Sequence, residues 1–185
     1  MAPADFARLV RSRRTSLLLD VHREVPRELV HELVELLAWA PNHRRTWPWQ
    51  VAWLTGAGRN RLGQAAAYAM AARGDDPVKV DKTRTKYLRA PGVLVVGADL
   101  DDSPLRTMEN RDSVSAGIEN LLLGATAHGL ASFWSSSPKG ADSAVVEVCE
   151  FPERTAIVAI IYLGWPTGTV EAPVRPPVDV RHIDH

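Results

Sequence analysis

Two short stretches carry the side chains best suited to chemistry. Arg13-Arg14-Thr15 follows the first helical pattern, and Ala40-Pro41-Asn42-His43-Arg44-Arg45-Thr46-Trp47-Pro48-Trp49 closes the second. Guanidinium groups grip phosphate oxygens through a forked pair of donors, and a neighbouring hydroxyl adds a third. His43, Arg44 and Arg45 bring donors and charge beside the rigid, flat Trp47-Pro48-Trp49. The combination suits a ligand with an anionic end and a flat apolar end, of which flavin mononucleotide (FMN) is the simplest. Its ring needs an apolar wall, with donors toward the edge that gains negative charge on reduction. Plainer readings stand beside this one. Arg13 and Arg14 also suit a solvated helix end, where cations complement the dipole. The tryptophans also suit a core, and His43 a helix-terminal surface.

A third candidate is Trp134-Ser135-Ser136-Ser137, whose hydroxyls and backbone N–H groups could meet a phosphate or a ring edge. The alternative is a plain serine-rich loop. Gly56-Ala57-Gly58-Arg59-Asn60-Arg61 imitates a dinucleotide fingerprint, but Arg61 stands where the third glycine belongs. No Walker loop or G-x-S-x-G elbow occurs, and the six histidines lack zinc spacing.

These stretches must be held by an alternation of helices and strands. Asp5 to Arg13 has helical spacing, with Phe6, Leu9 and Val10 on one face. Pro26 suits a first turn, Leu29 to Ala40 forms a strong apolar stripe, and Pro41 stops it. Val51–Thr55 reads as a strand, Gly56-Ala57-Gly58 as its turn and Arg61–Arg73 as a helix. Gly74 to Arg89 is polar, with a short helix expected from Val80; it is a candidate covering segment or a solvated insertion. Gly92–Ala98 and Ala156–Leu163 are continuously apolar, as strands buried on both faces are. Ser132–Ser136 supplies a fourth strand. Between them a long helix runs from about Arg106 to His128, with Gly129 at the C′ position. Its second half is small or apolar nearly all round, which predicts burial nearly all round and suggests a second subunit. Ser143–Phe151 reads as a helix with Cys149 as core filler. Residues 165–185 hold four prolines and little periodicity, so this tail is expected to lie as an extended arm on another surface.

Bulk composition fits this plan. A chain of 185 residues that is 45% hydrophobic and 24% charged can build one domain, here residues 1–185. Twenty-two basic and 22 acidic side chains leave no excess charge for nucleic acid or membrane surfaces. The single cysteine admits no internal disulfide and fits a cytoplasmic home, and no apolar run reaches spanning length.

With these residues in view, the chain resembles the FMN-dependent nitroreductase family, in particular its compact NAD(P)H nitroreductase members. Arg13-Arg14-Thr15 looks like the family's Arg-Arg-Ser, which holds the FMN phosphate. Ala40-Pro41-Asn42 with Trp47-Pro48-Trp49 resembles Ala-Pro-Ser and Gln-Pro-Trp, and Val114-Ser115-Ala116-Gly117 starts the central dimer helix. Gly124, Ala125, Thr126, Ala127, His128 and Gly129 occupy the stretch that compact members associate with the nicotinamide nucleotide. Trp134-Ser135-Ser136 matches their second FMN segment, and Leu163-Gly164-Trp165-Pro166 the Leu-Gly-Tyr-Pro ending. The chain departs where Trp47 replaces glutamine, Arg45 replaces asparagine, and Trp39 stands where some members lend an arginine to the partner's flavin. Leu17-Leu18 takes the place of a further basic residue, and Arg175 is a candidate late phosphate contact.

The resemblance implies an α+β three-layer sandwich, with a central mixed sheet flanked by helices. It further implies a homodimer whose C-terminal arms reach across the partner and whose flavins are shared by both subunits. The implied activity is ping-pong hydride transfer from NADH or NADPH, through flavin N5, to a nitroaromatic, quinone or similar small acceptor. No residue is implied as an essential acid or base. Two rival readings are a non-redox flavin-binding or flavin-processing protein of the same fold, and a dimeric module without cofactor.

Overall fold

The computed structural model describes residues 2–184. Helix α1 (Pro3–Ser12) opens with proline in its first turn, and Asp5 complements the dipole there. None of its residues is buried; Phe6 and Val10 remain exposed. Helix α2 (Arg27–Leu37) follows Pro26 and buries Val30, Leu33 and Leu37. After a 3-10 turn at His43–Arg45 come β1 (Trp49–Thr55), α3 (Gly56–Ala72), α4 (Pro77–Thr85) and a second 3-10 turn at Lys86–Arg89. The chain continues through β2 (Gly92–Asp99), α5 (Pro104–Ala127), β3 (Ala131–Ser135), α6 (Asp142–Val148) and β4 (Thr155–Gly164).

The strands form one sheet in the order β1-β2-β4-β3, and each neighbouring pair is antiparallel. Parallel pairing among the described residues is confined to a single bridge between Thr15 and Ser132, so the sheet is less mixed than expected. β2 shows why the apolar runs lack alternation. Leu94 and Val96 enter a core shared with α2 and α5, whereas Val93 and Val95 enter a second core with Leu62, Tyr87 and Val145. Successive side chains point to opposite faces, and both faces here are covered. The result is the expected α+β layering, with helices on either side of the sheet.

Three expectations need correction. Gly56-Ala57-Gly58 is the first turn of α3 rather than a separate turn. The stretch from Gly74 to Arg89 is neither a loose cover nor a solvated insertion: Val80, Thr83 and Tyr87 are buried, and Tyr87 stacks on Tyr162 at 5.9 Å. A few well-spaced apolar residues suffice to dock a polar helix. The third concerns the small residues of α5. A Cβ on Gly117 would lie 2.5 Å from the Leu37 carbonyl oxygen, and one on Gly124 would collide with Leu36. Close approach of α2 within the same chain therefore accounts for these two glycines, whatever covers the exposed residues of α5. Cys149 is half-buried against the second core. From Pro166 onward the tail is exposed, with Val174 at 99%.

Candidate functional site

The segment after α1 is tied down on two sides. Ser16 N–H donates to the Ser132 carbonyl at 2.8 Å, and Asp20 N–H to that of Trp165 at 2.9 Å. Thr167 N–H donates back to the Leu18 carbonyl at 3.0 Å. The chain beyond Arg14 is thus joined to β3 on one side and to the start of the tail on the other. Arg13 and Arg14 sit at this junction, where a cavity of about 470 Å³ is lined by Val10, Arg11, Arg13, Arg14, Glu119, Ala172, Pro173 and Arg175. The tail folds back here, so Arg175 joins cations from the other end of the sequence. Thr15 is exposed and is not among the lining residues.

The two adjacent arginines do different work. Arg14 Nη1 donates to the carbonyls of Arg11 (2.6 Å) and Arg13 (2.9 Å), satisfying acceptors that the helix end leaves open. Its Nε is buried without a partner. Arg13 is mostly buried, at 17% side-chain exposure, and its Nε lies 3.4 Å from Glu119 Oε1. Four guanidinium groups against one carboxylate make the cleft electropositive. A phosphate monoester fits it in charge and in donors, and the orphaned Arg14 Nε is the kind of buried group that a ligand oxygen would satisfy. A second cavity of about 220 Å³ touches Arg14 from another side, with Ser12, Ser16, Thr126 and Thr169 among its walls.

At the other candidate stretch, side chains pin the backbone in an uncommon shape. Arg44, Arg45 and Trp47 have φ of 60°, 53° and 52°, the left-handed region that favours glycine. Asn42 Oδ1 accepts from Trp47 N–H at 2.9 Å, and its amide donates to Thr46 Oγ1 (3.0 Å) and Ser113 Oγ (3.2 Å). Thr46 Oγ1 donates to Asn110 Oδ1 at 2.6 Å, and Asn110 Nδ2 to the Asp99 carbonyl at 3.0 Å. His43 Nδ1 lies 2.8 Å from Glu109 Oε1. Trp47, 59% exposed, tilts against Trp49 at 5.7 Å and 42°. Arg45 is exposed, and Trp39 at 75% is the more exposed tryptophan. Helical spacing does not single out Asn110 and Ser113. The signal that finds them is polarity on the face of α5 that continues into the buried Val114, Gly117 and Ile118.

The remaining candidates are spread out. Trp134 packs partly against the first core, Ser135 Oγ donates to the Ser136 carbonyl at 3.2 Å, and Ser136 is exposed. In the last turn of α5, Gly124 meets α2 and Ala125 is fully buried. Thr126 Oγ1 donates to the Leu122 carbonyl, Ala127 is exposed, and Gly129 has φ of 75° as the C′ residue. His128 Nε2 lies 3.8 Å from Glu32 Oε2. Of these six residues Thr126 shares a cavity with Arg14. Nor does one chain unite the two principal stretches. Arg13 meets α5 at Glu119 and His43 meets it at Glu109, about 15 Å apart along a helix rising 1.5 Å per residue. Burial pushes the Cys149 thiol up to about 12, which disfavours the thiolate form.

Helices on both faces of an antiparallel sheet, with an arginine-lined cleft where the first helix ends, define an α+β sandwich. The model of the nitroreductase family matches residues 10–165, and the chain belongs to that family of oxidoreductases. It is 27% identical over 176 residues to the Bacillus subtilis protein named "Putative NAD(P)H nitroreductase YfhC", covering 94% of this chain and 90% of that one. A solved nitroreductase-like family protein from Bacillus cereus superposes with a TM-score of 0.83 at 23% identity, covering 100% and 99% of the two chains. The FMN-dependent nitroreductase NfnB from Mycobacterium smegmatis, solved in complex with NADPH, gives a TM-score of 0.73 at 21% identity, covering 94% and 95%. These likenesses agree with the sandwich described above.

Proposed function

We propose that this protein is an FMN-dependent oxidoreductase that draws electrons from NADH or NADPH and passes them to nitroaromatic, quinone or similar acceptors. The observation that carries the reading is the convergence of Arg13, Arg14 and Arg175 on one cleft from opposite ends of the chain. These residues would hold the FMN phosphate, each charge-assisted contact contributing roughly 1.5–3 kcal/mol. When bound, the cofactor would supply two-electron hydride chemistry between donor and acceptor. The chain's own residues bind and orient. Arg13 and Arg175 supply charge, Arg14 fixes the helix end on which Arg13 stands, and the tilted Trp47–Trp49 pair offers an apolar wall.

The homodimer belongs to the same proposal. Leu36, Trp39, Leu105 and Met108 are exposed on α2, its end and α5, and the tail exposes Val174, Val178, Val180 and Ile183. A partner would cover these surfaces, and its 43–47 loop would reach the cleft that this chain's own loop is too distant to serve. A second reading, a flavin-binding protein without redox turnover, is favoured by Arg45 and Trp47. They replace the family's asparagine and glutamine and hold positive φ, which changes what the loop presents.

An absorbance spectrum tests the proposal. The purified protein should be yellow and bleach on adding NADH or NADPH, and Arg13→Glu with Arg14→Glu should come out colourless. A colourless wild-type chain that ignores added FMN sinks both readings; bound flavin that bleaches only over many minutes favours the second.

A further inference from the structure

Glu119 is out of keeping with its surroundings. It is a carboxylate on the wall of a cleft whose other charged lining groups are Arg11, Arg13, Arg14 and Arg175. Neither a helix cap nor a core contact accounts for it, because it lies mid-helix on α5 and its side chain is 47% exposed. Its charge partner is Arg13, with Nε at 3.4 Å. Arg13 is the better buried of the two, and among the described residues Glu119 is the carboxylate that faces it within the cavity. Arg14 has already committed Nη1 to two carbonyls. Arg13 is therefore one of the cations an incoming anion would use, and Glu119 sits against it.

We infer that Glu119 is a built-in rival of the ligand's phosphate: it engages Arg13 and holds down the cleft's affinity for phosphate monoesters. The inference rests on the reading of this cleft as the FMN phosphate site. Two like charges converging on one guanidinium repel each other, and a phosphate monoester brings nearly two negative charges at neutral pH. Because Glu119 is half exposed, water and salt screen much of that repulsion, so the effect is a moderate one. It acts through charge alone, and so it distinguishes ligands by their phosphate and not by their ring.

The test is a titration of the full-length chain with FMN and with riboflavin, which has the same ring and no phosphate, monitored by flavin fluorescence quenching. In Glu119→Gln, FMN should bind roughly three- to fivefold tighter than in wild type, with the gain shrinking as salt rises. Riboflavin binding should not change. Glu119→Ala, which removes the side chain's reach as well as its charge, should move in the same direction. Unchanged FMN affinity in both variants overturns the inference. Weaker FMN binding also overturns it, since Glu119 would then be orienting Arg13 rather than opposing the ligand. An equal gain for riboflavin overturns it as well. Failure of the wild-type chain to bind FMN at all is a different result, and it removes the proposed function itself.

Discussion

The two ends of the contact between α5 and the candidate residues are built on opposite plans. Near Glu109 and Asn110, the loop from Asn42 to Trp47 is held by directed hydrogen bonds among neutral side chains and the Trp47 backbone N–H, and its strained backbone is over-determined. Near Glu119, the cleft holds four guanidinium groups, one carboxylate and a buried Nε without a partner. The first end has its loop polar groups paired within the chain, with the buried Trp49 Nε1 beside it left over. The second is electrostatically unfinished, and its cations gain most when an anion arrives. A site that must hold a shape and a site that must hold a charge have different needs, and one helix provides for both.

That contrast can be broken at three levels. The largest effect comes from the shared support. Gly117→Val forces α5 away from the Leu37 carbonyl and should cost roughly 3 kcal/mol. A thermal melt should show the loss, and FMN retention should fall with it. A variant that melts normally would mean that α2 and α5 can part without harm. Next, Asn110→Ala leaves the Thr46 hydroxyl and the Asp99 carbonyl without their partner and should cost about 2 kcal/mol. Trypsin should then cut faster after Arg44 and Arg45; an unchanged cleavage rate would show that the polar links do not hold the loop. The smallest stability effect separates the paired arginines. Arg14→Ala should lower stability by about 1 kcal/mol through the lost carbonyl contacts. Arg13→Ala should lower stability by a similar amount through lost packing and the Glu119 contact, but unlike Arg14→Ala it should also weaken FMN binding roughly tenfold. Equal behaviour of the two variants would erase the division of labour.

Much of this was legible in the residues. The unbroken apolar runs at 92–98 and 156–163 announced strands covered on both faces, and Gly129 marked the end of α5. Arg13 and Arg14 were legible as a cluster from their adjacency. Arg175 entered as a phosphate contact only through the family resemblance, because residue pattern alone does not show the tail folding back along the segment after α1. Local pattern found the short helix near Val80 but misread its docking, because Val80 and Tyr87 are too few to show a period, though burying them is enough to dock the segment. It also misread the purpose of the α5 glycines. Small residues announce that something comes close, and only the fold says that it is the backbone of α2.

The tail has a consequence of its own. Arg175 faces inward to the cleft while the adjacent Val174 is almost wholly bare, as neighbouring side chains on drawn-out backbone point to opposite sides. This ribbon therefore has a charged underside and a greasy top. Peeling it from the body would remove a positive group from the cleft and leave the valines as bare as before. Loosening of the tail should therefore weaken the hold on an anion without adding to the tendency to clump.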